Sequence, residues 1–242
     1  QEKPSDGIAN IAFGLGKTRS EARGIIRDGL ITINNEVVRK HNWIVDEDQD
    51  EIKYDNELLT YKRFIYVMLY KPAGYLSATK DENYPTVVDL IKEYAHYDLF
   101  MVGRLDIDTE GLMIMTNDGK FAHRITSPKR NVPKKYFVRV NQGFTSQDVK
   151  AFLEGFSLYD GHKNLYQTKP AQLEILNNNE AYITISEGKY HQIKKMCLKV
   201  GQEVQYLKRL SIGPIALDPK LKPGEYRLLT ETEQRLLENY CL

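Results

Sequence analysis

With 242 residues, 41% of them hydrophobic and 28% charged, the chain has the composition of an ordinary globular protein, with enough apolar material for one large domain or two unequal ones. No apolar run approaches the roughly 18 residues of a membrane-spanning helix, no secretory-signal pattern opens the chain, and Cys197 and Cys241 form no disulfide framework and stand at no metal-ligand spacing. A net charge of +1 decides nothing about a nucleic-acid partner, but residues 1–60 carry eight Lys or Arg against twelve Asp or Glu, whereas residues 121–140 carry six basic residues and no acid, a field able to attract an anion.

Ile8, Ile11 and Ala12 could form one turn of a packed helix. A clearer helix follows: Thr18 is a good N-cap, Glu21 completes a capping box, Ala22, Ile25 and Ile26 make the apolar side, and Gly29 ends it. Arg19, Arg23 and Arg27 recur every four residues and form a basic ridge. Residues 30–33 and 36–38 flank Asn34-Asn35 as a hairpin, residues 46–50 read as an acidic turn, and residues 51–54 as a further strand. A helix-plus-hairpin unit bearing an Arg ridge suits shape and phosphate contact with RNA; the plain alternative is a solvated helix face. Residues 56–62 lack an apolar period. The expected division is therefore an N-terminal domain at 1–58, a linker at 59–63 and a larger domain at 64–242.

From residue 64 the strands become dense. Residues 64–70 form an apolar run ending in the turn Lys71-Pro72-Ala73-Gly74, and residues 87–94 read as a short amphipathic helix. Two more apolar runs, 99–102 and 112–115, read as buried strands around the loop Gly103-Arg104-Leu105-Asp106-Ile107-Asp108-Thr109-Glu110-Gly111. Helices are expected at 121–125, at 146–152 with Ser146 as cap, at 190–200 with Ile193, Cys197 and Val200 inward, and from 231. Strands are expected at 135–140, 171–176 and 181–186. Many strands with scattered helices indicate an α+β fold.

The acidic loop admits several readings. An EF-hand calcium site needs a bidentate acid at its twelfth position, which here is Asn117, and helices on both sides, where this loop has strands. A glycosidase-like pair is disfavoured because residues two apart on an extended loop point oppositely, and the chain has only one Trp, Trp43. A solvated turn whose acids pair with Arg104 is the plainest reading by spacing alone.

The wider sequence changes that weighting. Gly103-Arg104-Leu105-Asp106 with Thr109-Glu110-Gly111-Leu112 resembles the central motif of the pseudouridine synthases. Asp108 and Ser127-Pro128 make it similar to the branch that modifies ribosomal RNA, particularly its small-subunit (16S) member. Lys71-Pro72-Ala73-Gly74, Lys135-Tyr136, the run from Glu187 to Met196 containing His191-Gln192-Ile193-Lys194, Arg209-Leu210-Ser211-Ile212-Gly213 and the block from Leu221 to Arg227 extend the resemblance over nearly the whole chain. Residues 18–22, 25–26 and 29–34 likewise resemble the RNA-binding module named after ribosomal protein S4. Where that module usually carries a basic-led helix, this chain has Gly7-Ile8-Ala9-Asn10.

The resemblance implies an S4-type (alpha-L) domain followed by a pseudouridine synthase domain with a mixed, mainly antiparallel sheet and flanking helices. It implies isomerisation of a uridine with neither metal nor organic cofactor. Asp106 is the implied catalytic carboxylate, as nucleophile or as base, with Lys194 as its ion-pair partner and Tyr136 stacking beneath the base. A carboxylate in a partly buried loop tends to protonate unless a cation opposes it. Arg104 would fill the space of the extruded base or hold the adjoining phosphate, with an ion pair to Asp108 as the alternative. Asp108 and Glu110 would shape the loop and position Arg104. Arg124, Lys129, Arg130, Lys134 and Lys135 would contact the RNA backbone beside the site, and Arg19, Arg23 and Arg27 would form a second anchor. The expected partner is ribosomal RNA, of the small subunit or an assembly intermediate, met by a monomer in a reducing cytoplasm without membrane contact. Large-subunit rRNA as substrate and a non-catalytic RNA-binding or ribosome-assembly protein are the rival readings.

Overall fold

The structure, a computed structural model, describes residues 5–6, 15–40, 43–46, 49–59, 64–95 and 97–240. The helix turn expected around Ile8, Ile11 and Ala12, the segment 7–10 and most of the linker at 59–63 lie outside the described residues. The chain divides into two compact units, Gln1–Ile65 with Ile91–Leu99, and Tyr66–Leu90 with Phe100–Leu242. Among the described residues no helix is long and apolar enough to cross a membrane.

In the first unit, β1 (Ser5–Asp6) pairs with a later strand, α1 (Arg19–Arg27) follows, and β2 (Ile31–Ile33), β3 (Glu36–Val37), β4 (Ile44–Val45), β5 (Ile52–Tyr54) and β6 (Glu57–Leu58) complete it. Strand β4 is the partner of β1, and the others form a sheet ordered β3-β2-β5-β6. Thr18 caps α1 by accepting from the Glu21 amide at 3.1 Å. The expected capping box forms only by half, because the Glu21 carboxylate takes the Thr18 hydroxyl and the Lys17 ammonium. Asn34 (φ 51°) and Asn35 (φ 68°) make a turn with both central residues left-handed, the geometry that matches strand twist in a two-residue hairpin. Asp55 and Asn56 repeat it (φ 48° and 66°). Residues 57–58, read as structureless from their lack of apolar period, are therefore a strand set by its turn. Ala22, Ile26, Ile31, Ile33, Val38, Val45 and Ile52 form the core; full burial of an aliphatic side chain this size stabilises by about 1.5–3 kcal/mol.

In the second unit, β7 (Tyr66–Lys71), β8 (Phe100–Val102), β9 (Glu110–Thr116), α2 (Gly119–Thr126), β10 (Lys134–Val140), α3 (Ser146–Glu154), β11 (Ser157–Tyr159), β12 (Leu165–Gln167), β13 (Gln172–Ile175), β14 (Glu180–Ile185), α4 (Gln192–Lys199), β15 (Val204–Ile212), β16 (Ile215–Ala216), β17 (Tyr226–Leu228) and α5 (Glu231–Tyr240) follow one another. The main sheet runs β13-β14-β10-β15-β9-β7-β17, with β16 beside β15 and β8 beside β9. Every ladder is antiparallel except β15 with β9, which pair in parallel through Lys208↔Glu110 and Arg209↔Gly111. That two-rung seam joins the two halves of the sheet.

Three local expectations are corrected. The helix expected at 87–94 is two 3-10 turns, Val87–Leu90 and Lys92–Tyr94. Helix α3 is capped by Thr145, not Ser146, in a complete capping box with Asp148. The 190–200 helix begins at Gln192 and buries Ile193, Met196 and Cys197, leaving Tyr190 outside it and exposed.

Candidate active site

The acidic loop leaves β8 through Gly103 (φ 82°) and runs into β9, whose second residue is Gly111 (φ 115°). A Cβ on Gly111 would stand 2.2 Å from the Arg209 carbonyl oxygen, so the parallel seam admits only glycine there. Between them residues 106–109 form a turn, with the Thr109 amide donating to the Asp106 carbonyl at 3.0 Å. Side groups from β7 and the segment after it hold this turn. The buried Lys71 Nζ donates to the carbonyls of Pro72 (3.1 Å), Ile107 (3.1 Å) and Thr109 (2.7 Å). The Gly74 amide donates to Ile107 O at 2.8 Å. Ser77 Oγ donates to Leu105 O (2.6 Å) and accepts from the Leu105 amide (3.0 Å). Burial pushes the Lys71 amine down to about 8, against the opposing pull of Asp108, Asp106 and Glu110.

Asp106 faces the start of α4 across an open cleft. Lys194 Nζ lies 3.2 Å from Asp106 Oδ2, and His191 Nε2 lies 3.3 Å from Oδ1. Lys194 also donates to Asp108 Oδ1 at 2.7 Å. Desolvation would lower the Lys194 amine, but the Asp108 hydrogen bond and the Asp106 charge outweigh it and hold the amine above its ordinary value. For Asp108, desolvation pulls upward, and the Lys194 hydrogen bond and charge overcome it, leaving the carboxyl below its usual range. The floor of the cleft is apolar and comes from three strands: Tyr136 of β10, Ile185 of β14 and Leu207 of β15, with Leu105 and Ile193 beside them. Arg104 and Lys189 stand exposed at the cleft.

The structure thus brings together Asp106, Tyr136, Lys194 and Arg104, the four nominated residues that line one cleft. Asp106 and Asp108 do not diverge, as an extended loop would make them do, because the 106–109 turn brings both to Lys194. Neither Asp108 nor Glu110 holds Arg104: Asp108 pairs with Lys194, and Glu110 accepts from the Tyr206 hydroxyl at 2.7 Å. Among the described residues no group of three His, Cys, Asp or Glu could hold a metal ion.

Lys135 is corrected. Consecutive strand residues face opposite sides, so with Tyr136 in the cleft Lys135 reaches the other face, its ammonium 4.2 Å over the Tyr182 ring. Arg124 is half-buried on α2, and Lys129 and Arg130 are exposed on the 3-10 turn Pro128–Arg130; none of the three lines the cleft. Burial and the neighbouring Arg209 push the Lys134 amine down to about 8 against Glu187. Arg19, Arg23 and Arg27 are all exposed on α1 of the first unit.

Sequence reasoning assigned no role to Lys71 or His191. The signal for Lys71 was a lysine terminating an uninterrupted apolar strand; for His191 there was none beyond its position one turn before Lys194.

Residues 65–199 match the family model of the RNA pseudouridylate synthases, and residues 12–52 match the S4 domain. The chain is 42% identical over 224 residues to ribosomal small subunit pseudouridine synthase A of Escherichia coli (strain K12), covering 92% of this chain and 95% of that protein. It is 44% identical over 235 residues to the uncharacterized RNA pseudouridine synthase YtzG of Bacillus subtilis (strain 168), covering 95% of each. A crystal structure of a pseudouridylate synthase, 40% identical, superposes with a TM-score of 0.67 over 94% of this chain and 96% of that one. On these matches, with an α+β fold and an RNA-binding S4 domain ahead of the larger unit, the chain belongs to the RNA pseudouridine synthases.

Proposed function

We propose that this enzyme converts one uridine of small-subunit (16S) ribosomal RNA, free or in an assembly intermediate, to pseudouridine, with Asp106 as the reacting carboxylate. The observation that carries the reading is the clamped position of Asp106 in an open cleft, one oxygen on Lys194 and the other on His191, above the apolar floor that includes Tyr136. The name of the Escherichia coli relative supports the small subunit as the source of the RNA.

The reaction breaks the N1–C1′ bond, turns the base and forms C5–C1′; the proton lost from C5 is balanced by one gained at N1. No electrons are transferred to or from the substrate. A carboxylate beside the sugar can act on C1′ as a nucleophile or remove a proton as a base, and either role needs it ionised. Lys194 keeps it so. The uridine must leave its stack to reach the cleft, at a cost of about a few kcal/mol. Tyr136 then supports the base from beneath, and Arg104 at the cleft holds the vacated stack or the adjoining phosphate. Residues 1–58 bind the same RNA through Arg19, Arg23 and Arg27, and Arg124, Lys129 and Arg130 add backbone attraction to the catalytic residues 64–242. The enzyme acts as a monomer in the cytoplasm.

Pseudouridine mapping of ribosomal RNA from cells with and without the gene tests the substrate. One lost site in small-subunit RNA is expected; a lost site in large-subunit RNA overturns the choice of subunit. Asp106→Asn is expected to abolish turnover while RNA affinity stays within about tenfold, or ~1.4 kcal/mol. Near-normal turnover in that variant removes Asp106 from the chemistry.

A further inference from the structure

Lys194 alone does not fix Asp106. Its ammonium is shared, and the shorter contact, 2.7 Å, goes to Asp108 rather than to Asp106 at 3.2 Å. The terminal torsion of an aspartate is soft and roughly two-fold, so a carboxylate held at one oxygen by a divided cation keeps rotational freedom. The second restraint is His191 Nε2, 3.3 Å from Oδ1.

The placement of His191 is unusual in two respects. It occupies the N-cap position of α4, where Ser, Thr, Asp or Asn would ordinarily bond the first free amides, yet its side chain makes no capping bond. Its backbone is left-handed, φ 51° and ψ 30°, a region that non-glycine residues visit rarely and that persists where surrounding structure imposes it. The helix start thus forgoes both a cap and a relaxed backbone while the imidazole is delivered to Asp106.

The imidazole is also supported from behind. The Tyr190 ring stacks on it, centroids 3.7 Å apart and planes inclined by 22°. Lys195 Nζ lies 4.9 Å from the Tyr190 centroid and is itself held by the Tyr159 carbonyl at 2.7 Å. At the tip of the β11–β12 hairpin, Gly161 packs so closely that a Cβ there would lie 3.3 Å from Tyr190 Cβ. A column therefore runs from the hairpin through Lys195 and Tyr190 to His191 and ends on Asp106.

We propose that His191 is a positioning residue for the reacting carboxylate, with Tyr190 as its backing, and that the pair sets the plane of Asp106 while Lys194 holds its other oxygen. This rests on Asp106 being the reacting group. His191 does its work through Asp106 and not on the RNA, so its removal slows the chemical step and leaves binding alone.

The test is single-turnover pseudouridine formation with enzyme in excess over an RNA carrying the mapped uridine, alongside direct binding of the same RNA. His191→Ala is expected to lower the saturating rate by about tenfold to a hundredfold, with RNA affinity within twofold. His191→Gln, which keeps an N–H donor, is expected to recover part of the rate. Tyr190→Ala should lose rate and Tyr190→Phe should not, and the Tyr190→Ala/His191→Ala double variant should be no slower than His191→Ala alone, since both act through one contact. His191→Gly guards against a folding artefact: glycine relaxes the left-handed backbone, so this variant is expected to melt no lower than His191→Ala and still be slow. A His191→Ala rate within twofold of wild type, or a loss that lies wholly in RNA affinity, overturns the proposal. If Asp106→Asn is inactive in the same assay while His191→Ala is fast, only the role of His191 falls. If Asp106→Asn is active, the assignment of the carboxylate falls with it.

Discussion

Lys71 Nζ donates to the carbonyl oxygen of Thr109 at 2.7 Å, joining residues 38 positions apart in the chain. With its bonds to Pro72 and Ile107, the ammonium spends its three donors on backbone around the Asp106 turn. Lys71→Met keeps most of the volume and leaves those carbonyls short of a donor. The expected cost is about 2–4 kcal/mol of stability and a clear loss of rate, read by denaturant melts and by turnover. A melt indistinguishable from wild type would show that the turn does not depend on this ammonium.

Lys71 also predicts a pH signature. Its folded-state value, about 8, lies below the ordinary 10.5, so between those values the unfolded chain binds the extra proton. Stability contributed through this group then rises with pH across that window. Melts of wild type and Lys71→Met at pH 7.5 and 9.5 should show the difference moving in favour of wild type at the higher pH. A difference that is flat, or moves the other way, would mean that burial does not depress this amine.

The two acids on Lys194 are not equivalent. Lys194→Met takes the cation away from Asp106; if the transition state loses about 2–3 kcal/mol of stabilisation with it, less than the roughly 3–5 kcal/mol of a fully buried pair, turnover should fall by roughly 30- to 150-fold. Asp108→Asn removes the competitor at 2.7 Å and leaves the cation to Asp106, so its turnover should stay within about tenfold of wild type. A collapse of rate in Asp108→Asn equal to that in Lys194→Met would assign Asp108 an essential part.

Gly111→Ala sets a β-carbon 2.2 Å from the Arg209 carbonyl oxygen, at φ 115°. Neither can yield, since the oxygen is backbone and the β-carbon is fixed to backbone, both on paired strands. A loss of more than about 3 kcal/mol is expected, visible as insoluble or unfolded protein, whereas Gly74→Ala, with nothing within 4 Å of its Cβ position, should be far milder despite φ 95°. Equal stability of the two variants would contradict the tight approach at the seam.

On the first unit, replacing Arg19, Arg23 and Arg27 with Ala should weaken RNA binding and reduce the slope of log affinity against log salt by about 2–3, since each phosphate contact contributes about 0.7–0.9. An unchanged slope would take this face out of RNA binding.

The sequence made the local devices legible where one residue type has one strong use. Thr18 capped its helix, Asn34-Asn35 made the hairpin turn, and Asp118, though not singled out, caps α2 through the Phe121 amide at 3.1 Å. The α+β class and the cluster of Asp106, Tyr136, Lys194 and Arg104 were also legible, the latter through spaced blocks and not through any one of them. What could not be read depends on direction in space. Lys135 lies beside Tyr136 in sequence and on the opposite face in the sheet. The convergence of Asp106 and Asp108 on one ammonium needs a turn that apolar patterning cannot reveal. His191 needed its backbone angle and the Tyr190 ring to acquire a direction at all.

The two-rung seam has a consequence for the timing of synthesis. Asp106 precedes β9, whereas Tyr136 and Leu207 of the cleft lie on strands that reach β9 only through β15, residues Val204–Ile212. A nascent chain that has not yet delivered β15 holds the acid and the floor on separate, unjoined pieces of sheet. Pairings so distant in sequence close late in folding. The cleft is therefore complete only once Lys208 and Arg209 of β15 have paired with Glu110 and Gly111 of β9, and a chain ending before Val204 would leave Asp106 and Tyr136 on unjoined strands.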